Sequence, residues 1–312
     1  MGGEMASHVH LLFAMRLLLS SLLALAACTG ASSQGTDEED AALADGGTGG
    51  EGEADAALAS CDPQPIPSAL TLMHDGRERR AIVAGPAAMP TTPMPVVLNF
   101  HGYSNSAELQ QSFSEMDSHA ADNGYLVVYP QGTGVPSGLN AGACCGSPTV
   151  NDVDDVGFVD ALIDHMSETM CIDETRVYAV GYSNGGFLAQ RLACELSDRI
   201  AAIGSVAGVI GVSECQPERH IPVLQIHGTA DTVVPYGGNV ALGFPSVDDT
   251  MEGWRERQGC GDSASTTFEQ GDATCVEWPD CVAGVAHCSI ELGGHTWPGG
   301  SVPIAAGKTS RD

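Results

Sequence analysis

The segment TRVYAVGYSNGG, residues 175–186, is the part of the sequence that decides the fold. Its apolar half, Val177–Val180, is typical of a buried strand, and the residues from Gly186 to Ala193 have the spacing of a helix. The G-x-S-x-G motif between them puts Ser183 on a sharp strand-to-helix turn, with its hydroxyl above the edge of the sheet. The motif alone is weak in a chain with 39 glycines. The strand–turn–helix context is what makes Ser183 a candidate nucleophile.

A serine hydroxyl becomes nucleophilic when a base takes its proton and an acid holds that base in the right tautomer. After Ser183, the apolar strand at 221–226 leads to Asp231, and the alternating strand at 286–292 leads to His295. The order Ser, Asp, His, with each residue on a loop after a strand, is that of α/β-hydrolases. We therefore predict Ser183 as nucleophile, Asp231 as acid and His295 as base.

Other acids and histidines near these loops are weaker candidates. Asp248 and Asp249 are alternative acids, but they belong to the first turn of a predicted helix that runs to Gly259. Asp231 itself could merely cap a turn. His227, at the start of the acid loop, is expected to brace that loop by hydrogen bonding rather than to act as the base.

The negative charge that develops on the substrate oxygen requires hydrogen-bond donors, and backbone N–H groups often supply them. The first donor is predicted to be the N–H of Asn184, directly after the nucleophile. The second should come from the loop after the apolar strand at 95–100. There Gly102 lets the backbone turn so that the N–H of Tyr103 faces the site.

Two groups of residues suggest a metal site, but neither has the required spacing. The first group consists of three histidines, His101, His227 and His295. They do not belong to an H-E-x-x-H motif, and their spacing matches no common zinc site. The second group consists of three aspartates, Asp152, Asp154 and Asp155. They lack the spaced ligands of an EF-hand, and capping of a helix over 156–170 explains their presence better than calcium binding does. We predict no metal and no cofactor.

Seven short segments carry a resemblance to a known family. They are DGRERR at 75–80, FHG at 100–102, ACCG at 143–146, VDDVGF at 153–158, GYSNGG at 181–186, HGTAD at 227–231 and GHTWPG at 294–299. Together they resemble the secreted poly(3-hydroxybutyrate) depolymerase and feruloyl esterase family of α/β-hydrolases, here in a bacterial lipoprotein form. The resemblance implies the same roles for Ser183, Asp231 and His295, and a disulfide between Cys260 and Cys281.

Strands alternate with helices along residues 95–292, which predicts a mostly parallel, doubly wound sheet with helices on both faces. The resemblance implies the same architecture, an α/β-hydrolase fold. Residues 70–83 are predicted to form a leading hairpin. The acyl pocket is expected to be built by the loops at 103–114, 131–152 and 235–248. Their aromatic residues are Tyr103, Phe113, Tyr236 and Phe244.

Residues 1–28 are typical of an export signal. An apolar run of about eleven residues follows Arg16, a length that suits a signal peptide and is too short to cross a bilayer. The run ends in Leu-Ala-Ala-Cys, which resembles the lipobox of bacterial lipoproteins, so Cys28 is predicted to carry a lipid. Ordinary cleavage, with Cys28 incidental, is the alternative. Met5 or Met15 fits the start of such a signal better than the first residue.

The remaining chain divides into a tether and a domain. Residues 29–60 contain eight acidic residues, no basic residue and no aromatic residue, a composition that predicts a disordered tether. Residues 61–312 are then the catalytic domain. The family usually continues beyond Trp-Pro-Gly into a last helix, whereas this sequence stops at Asp312, so the helix is dispensable here or the chain is truncated. No module for adsorption to a polymer is visible.

Charge and cysteine content narrow the functional class. Residues 61–312 contain 31 acidic and 11 basic residues, which argues against nucleic acid or anionic lipid as a partner and is compatible with neutral esters. Ten cysteines remain when Cys28 is set aside, and an even number in an exported chain predicts disulfides. The adjacent Cys144 and Cys145 are expected to pair with two different partners.

The sequence therefore predicts an exported serine esterase that cleaves carboxylic esters through an acyl-enzyme. Its substrate would be a feruloyl, acetyl-type or hydroxyalkanoate ester, small or derived from a polysaccharide or polyester. We expect it to be anchored to the cell envelope by its lipid, or otherwise extracellular, with no contact to the membrane except through that lipid. Two alternatives are a prolyl-peptidase-like hydrolase and a non-catalytic binding protein on a hydrolase scaffold.

Overall fold

The computed structural model of the protein describes residues 61–62 and 64–300. The predicted signal at 1–28, Cys28 and the tether at 29–60 lie outside these residues. The described chain has ten strands, which form a single sheet in the order β1-β2-β4-β3-β5-β6-β7-β10-β9-β8. They are β1 (Ala69–His74), β2 (Arg77–Ala84), β3 (Met94–Phe100), β4 (Leu126–Pro130), β5 (Ile172–Tyr182), β6 (Ala202–Val206), β7 (Val223–Gly228), β8 (Ser265–Gln270), β9 (Ala273–Glu277) and β10 (Val285–Ile290).

The centre of the sheet is parallel and its two margins are antiparallel. Strands β4, β3, β5, β6, β7 and β10 run parallel to their neighbours in that order. The hairpin β1–β2 joins β4 antiparallel at one margin, and β9 and β8 join β10 antiparallel at the other. Central parallel strands are buried on both faces, which explains continuous apolar runs such as LVVYP in β4. The predicted mostly parallel sheet is confirmed.

Helices cover both faces of the sheet. They are α1 (Ala107–Ser114), α2 (Met116–Asn123), α3 (Gly146–Val150), α4 (Asp155–Thr169), α5 (Asn184–Glu195) and α6 (Val247–Gln258), with a short 3₁₀ helix at Val240–Leu242. Helices α4, α5 and α6 pack in one apolar core, and α1 and α2 pack in a second. Strand β3 contributes Val96 and Leu98 to the first core and Val97 to the second, as the alternation of side chains along a strand requires. None of the helices in the described part of the chain has both the length and the apolar character that a membrane crossing demands.

Helix α4 begins as predicted from its aspartates, with one difference. The carboxylate of Asp154 accepts a hydrogen bond from the N–H of Gly157 at 2.9 Å and caps the helix. Asp155, by contrast, does not cap the helix. It is fully buried and forms an ion pair with Arg79 of β2, with 2.6 Å between Nη2 and Oδ1. Its side chain joins the sheet to the helix.

The described residues contain five disulfides. They are Cys61–Cys171, Cys144–Cys145, Cys194–Cys215, Cys260–Cys281 and Cys275–Cys288. The predicted pair Cys260–Cys281 is confirmed. The prediction that Cys144 and Cys145 have different partners is wrong, because the other eight cysteines are bonded to one another and these two bond to each other. A set of this size fits a protein that folds in an oxidising, extracellular environment.

Candidate active site

Ser183 occupies a strained turn between the last residue of β5 and the first residue of α5. Its backbone has φ +53° and ψ −120°, a conformation that is costly for a residue with a Cβ. The glycines on either side are required by close contacts. A Cβ on Gly181 would lie 2.2 Å from the carbonyl oxygen of Gly185, and a Cβ on Gly185 would lie 2.2 Å from that of Phe100. The motif therefore keeps strand and helix close enough to project the serine hydroxyl.

The structure brings the three predicted side chains of the triad together. His295 Nε2 lies 2.9 Å from Ser183 Oγ, and His295 Nδ1 lies 2.7 Å from Asp231 Oδ2. Because a carboxylate only accepts, Nδ1 carries the hydrogen and Nε2 is left to accept the serine proton. All three residues are nearly buried, which strengthens the electrostatic interactions among them.

The carboxylate of Asp231 is held as an anion. Its Oδ1 accepts from the N–H groups of Val233 and Val234 at 2.8 and 2.9 Å. Burial opposes ionisation, but the hydrogen bonds from His227 and His295 outweigh it and hold the pKa of Asp231 well below its usual range. The side chain of Asp231 is therefore charged at any pH at which the protein is expected to work.

The loops that carry Asp231 and His295 are fastened to each other. The acid loop follows β7 and the base loop follows β10, and these two strands are parallel neighbours. The N–H of Thr229 donates to Ile290 O, and the N–H of Ala230 donates to Gly293 O, both at 2.9 Å. Since the carboxyl ends of parallel strands lie at one edge of the sheet, two residues 64 positions apart meet there.

Tyr182 holds His295 in place and was not predicted from the sequence. Its hydroxyl donates to the backbone oxygen of His295 at 3.0 Å, and the two rings are 5.0 Å apart. Burial raises the pKa of this hydroxyl, so it remains a donor. The only signal in the sequence is its position next to Ser183.

Two side chains hold the predicted oxyanion donors in place. His101 Nδ1 donates to the carbonyl oxygen of Gly102 at 2.7 Å, while its Nε2 accepts from the N–H of Gly132 at 2.9 Å. Because C=O and N–H point in opposite directions across a trans peptide, this bond directs the N–H of Tyr103 away from the His101 ring. The side chain of Asn184 is fixed by two hydrogen bonds to the backbone of Leu139. Its own N–H is in the first turn of α5, where N–H groups have no partner within the helix.

An open cleft of about 670 Å³ leads from the protein surface to Ser183. Its walls are mostly apolar and include Tyr103, Phe113, Val234, Leu242, Phe244 and the disulfide Cys144–Cys145. Three of the four predicted pocket aromatics therefore line the cleft. The prediction for Tyr236 is wrong, because its hydroxyl turns inward and bonds to Nε2 of His287 at 2.7 Å.

The buried His287 gives a prediction for stability. Its Nε2 accepts from Tyr236 and its Nδ1 donates to Gln225 O at 3.3 Å, so both nitrogens are used in the neutral form. Burial lowers the pKa of His287 to about 4 from 6.5. As the pH falls from 6.5 to 4, the unfolded chain takes up a proton that the folded protein does not. We expect the free energy of unfolding to fall by roughly 3 kcal/mol over this interval from this residue.

Urea unfolding of the wild type and of a His287→Gln variant at pH 7 and pH 4.5 measures this effect. The variant should lose less stability between the two pH values than the wild type does. Equal losses in the two proteins would contradict the assignment. His101 is also buried with a lowered pKa, so only the difference between the proteins is informative.

Within residues 61–62 and 64–300, no three His, Cys, Asp or Glu side chains are grouped so that they could hold a metal ion. His101 bonds to the backbone of Gly102 and of Gly132, and His227 bonds to the backbone of Val234. Their hydrogen bonds brace the loops of the site, as was expected for His227.

The fold and the arrangement of the site define the class of the protein as α/β-hydrolase. A family model described as Phospholipase/Carboxylesterase matches residues 87–242, which is half of the chain. The chain belongs to this family. The prediction of a carboxylic ester hydrolase is thereby confirmed at the level of the family.

Individual relatives have esterase names. Feruloyl esterase B of Piromyces equi is 30% identical over 235 residues, which cover 70% of this chain but only 42% of the relative. A protein of Nocardia uniformis that is named as an esterase is 29% identical over 322 residues, covering 92% of this chain and 90% of its own length. An acetyl xylan esterase from Aspergillus awamori shares the fold with a TM-score of 0.57 at 13% identity, and covers 74% of this chain and 94% of its own.

Proposed function

We propose that this protein is an exported serine esterase in which Ser183, His295 and Asp231 form the catalytic triad. The observation that carries the proposal is the continuous set of hydrogen bonds from Ser183 through His295 to Asp231, at the base of an open apolar cleft. An ester carbonyl placed in the cleft would meet the serine hydroxyl with its base already in position.

In the first half of the reaction, His295 Nε2 takes the proton of Ser183 as Oγ bonds to the carbonyl carbon. The carbonyl electrons move to the oxygen, whose charge is stabilised by the N–H groups of Asn184 and Tyr103. The tetrahedral intermediate then collapses and the bond to the alcohol oxygen breaks. The alcohol leaves with the proton from His295, and the acyl group remains on Ser183.

In the second half, water takes the place of the alcohol. His295 removes a proton from the water, whose oxygen bonds to the acyl carbon, and the same two N–H groups stabilise the new oxyanion. Collapse breaks the bond to Ser183 Oγ, which recovers its proton from His295. The products are a carboxylic acid and the free enzyme, and no cofactor takes part.

The cleft favours esters with a small or planar acyl group over a solid polyester. Its aromatic and aliphatic walls suit a hydroxycinnamoyl ring, and its open side leaves space for the alcohol part of the substrate, such as a polysaccharide fragment. The esterase names of the relatives support the same substrate class. We therefore propose feruloyl and acetyl esters on plant polysaccharides as substrates.

Comparison of kcat/KM for methyl ferulate, p-nitrophenyl acetate and 3-hydroxybutyrate oligomers tests the substrate class, together with release of product from solid polyhydroxybutyrate. We expect turnover of the soluble esters, with a graded preference, because an apolar pocket discriminates by only about 1–3 kcal/mol per methylene-sized change. Efficient clearing of the solid polymer with little action on soluble esters would contradict the proposal.

The variant Phe244→Ala extends this test to the cleft wall. Phe244 lines the cleft and packs on Phe187, with 4.9 Å between ring centroids. Its removal should lower kcat/KM for methyl ferulate more than for p-nitrophenyl acetate. Phe268→Ala on β8 is the matched control. Phe268 packs against the core that contains α1 and α2 and does not line the cleft, so its removal should leave the ratio of kcat/KM for the two esters unchanged.

We also propose that the protein is attached to the cell envelope through a lipid on Cys28. The lipobox-like Leu-Ala-Ala-Cys sequence supports the lipid, and the disulfides support export alone. The variant Cys28→Ser should move the protein from the membrane fraction to a soluble or uncleaved form. A wild type found wholly soluble outside the cells would refute the anchor and leave the catalytic proposal untouched.

A further inference from the structure

A series of buried side-chain hydrogen bonds runs from helix α6 across the core to strand β7. It begins at Trp254 of α6, whose indole N–H donates to Oε1 of Gln190 on α5 at 2.6 Å. Gln190 Nε2 donates to Oε1 of Gln225 on β7 at 3.0 Å. Gln225 Nε2 lies 3.0 Å from Nδ1 of His227, two residues further along the strand. These four residues, Trp254, Gln190, Gln225 and His227, are called the amide relay below.

The amide relay ends at the carboxylate of the triad. His227 Nε2 lies 2.9 Å from the carbonyl oxygen of Val234 and 3.4 Å from Oδ2 of Asp231. The same Oδ2 accepts from His295 Nδ1 at 2.7 Å. Asp231 is thus placed between the base of the triad and a second histidine.

The direction of every bond in the relay follows from its first member. An indole can only donate, so the atom of Gln190 that faces Trp254 must be its oxygen, and its NH₂ group must face Gln225. Gln225 accordingly presents its oxygen to Gln190 and its NH₂ group to His227 and to Gly208 O, which is 2.7 Å away. His227 Nδ1 must then accept, so the ring hydrogen is on Nε2 and is directed at the acid loop.

Burial makes this arrangement rigid. Trp254, Gln190 and Gln225 have no exposed surface and His227 is 1% exposed. A reversed amide would leave buried donors facing donors, which is costly where water cannot compensate. Helix α5, which carries Gln190, also begins at the nucleophile elbow. The relay therefore connects the helix of the nucleophile to the loop of the acid.

We propose that His227 is a positioning residue for Asp231, and that the amide relay from Trp254 sets its tautomer and orientation. This inference rests on the proposed function, because it assigns a role relative to the triad. The titratable groups that face Asp231 are His295 and Tyr182. Those on the side of His227 are Tyr236, whose ring packs on His227, and His287, which bonds to Tyr236. Among the described residues, neither Tyr236 nor His287 forms a hydrogen bond or an ion pair with the carboxylate of Asp231.

The tautomer can be measured without any activity. ¹⁵N NMR of histidine-labelled protein distinguishes the ring nitrogen that carries hydrogen, and the Ser183→Ala variant can serve as the sample. We expect His227, assigned by comparison with His227→Asn, to carry its hydrogen on Nε2. A hydrogen on Nδ1 would overturn the proposal, whether or not the wild-type protein cleaves esters.

The role in positioning is tested by two substitutions that keep different parts of the imidazole. His227→Gln keeps a hydrogen-bond donor near the position of Nε2. His227→Asn keeps a polar atom near the position of Nδ1 and has none near that of Nε2. We expect His227→Asn to lower kcat by about 10–100-fold with little change in KM, since a small misplacement of a catalytic group has an effect of this order. His227→Gln should recover part of the loss. The acid limb of the kcat/KM profile should move to higher pH in His227→Asn. Without the N–H of His227, the carboxylate of Asp231 interacts more strongly with His295 and stabilises its protonated form.

The remote end of the relay is tested by Trp254→Phe, which removes the indole N–H and keeps an aromatic ring. This variant should move the acid limb in the same direction as His227→Asn, by a smaller amount. The control is Gln258→Leu, on the same helix and equally buried, whose side chain bonds to Ile221 O outside the relay. It should lose stability without a change in the pH profile.

The outcomes separate this proposal from the proposed function. If the wild type hydrolyses esters but His227→Asn retains its kcat and pH profile, the positioning role is refuted and the triad stands. If His227→Asn has the expected effect but Trp254→Phe behaves like Gln258→Leu, the relay is refuted. If the wild type has no ester activity while His227 carries its hydrogen on Nε2, the function is refuted and the tautomer assignment stands.

Discussion

Replacement of Ser183 by alanine is expected to lower kcat for a soluble ester by about 10⁴–10⁶-fold, because a triad that loses its nucleophile keeps only binding and oxyanion stabilisation. The fold should be unchanged, since the only side-chain hydrogen bond of this hydroxyl among the described residues is the one with His295. His295→Ala should be nearly as damaging. The double variant should be little worse than either single one, because the triad acts as a unit.

A fluorophosphonate probe followed by peptide mapping measures the nucleophile directly. One adduct per chain is expected on Ser183 and none in Ser183→Ala. Ser289→Ala is a suitable control, since Ser289 lies on β10, the strand that leads to His295, and its hydroxyl bonds to Thr274 O away from the cleft. A stoichiometric adduct on another serine would refute the assignment, and additive losses in the double variant would mean that His295 acts elsewhere.

The sequence was sufficient to predict the centre of the sheet and the residues that meet at its edge. Strong apolar runs mark the parallel strands, and the loops that follow β5, β7 and β10 must lie together once those strands are parallel. The predicted ends of the strands were less accurate than their order. Strand β5 begins at Ile172, five residues before the predicted apolar run, because polar residues such as Asp173 can extend a strand where its end reaches solvent.

The antiparallel margin formed by β8 and β9 was not predicted. Strand β8 has the sequence STTFEQ, and only Phe268 is partly buried, so no apolar alternation marks it. The local signal was the two-residue connection Gly271-Asp272, in which Gly271 has φ +58°. The disulfide Cys275–Cys288 ties β9 to β10 at a register that adjacent strands bring together.

The supporting residues of the site were also beyond the sequence. Gln190 and Gln225 lie in mostly apolar segments, and the bonds that join Gln190 to Gln225 and to Trp254 span 35 and 64 positions. A lone glutamine in a buried strand indicates that some partner exists, but only the packing of α5 and α6 on β7 identifies it. The side chain of Tyr236 is a similar case. Its position in a loop near the site predicted that it lines the cleft, but its hydroxyl bonds to His287, a partner that only the fold brings close.

The buried ion pair of Arg79 and Asp155 is expected to have the largest effect on stability. The two side chains are 1% and 0% exposed, and Asp155 Oδ2 also accepts from the N–H of Asn140 at 2.6 Å. The guanidinium group of Arg79 stacks on Phe158, 3.7 Å from the ring centroid. Removal of either partner would leave the other charge buried without its ionic partner. Arg79→Leu or Asp155→Asn should therefore lower the free energy of unfolding by about 3–5 kcal/mol.

The next residue on the same strand gives a matched control. Arg80 pairs with Glu108 at 2.6 Å, but both side chains are about half exposed. An exposed pair contributes only about 0–1 kcal/mol, so Arg80→Leu should have little effect. Urea unfolding of the variants, with the m-value checked for two-state behaviour, makes the comparison. A loss in Arg79→Leu no greater than that in Arg80→Leu would contradict the prediction. A double variant of Arg79 and Asp155 to leucine should be less destabilised than the two single losses together, because the penalty arises from the unpaired charge and not from the missing attraction.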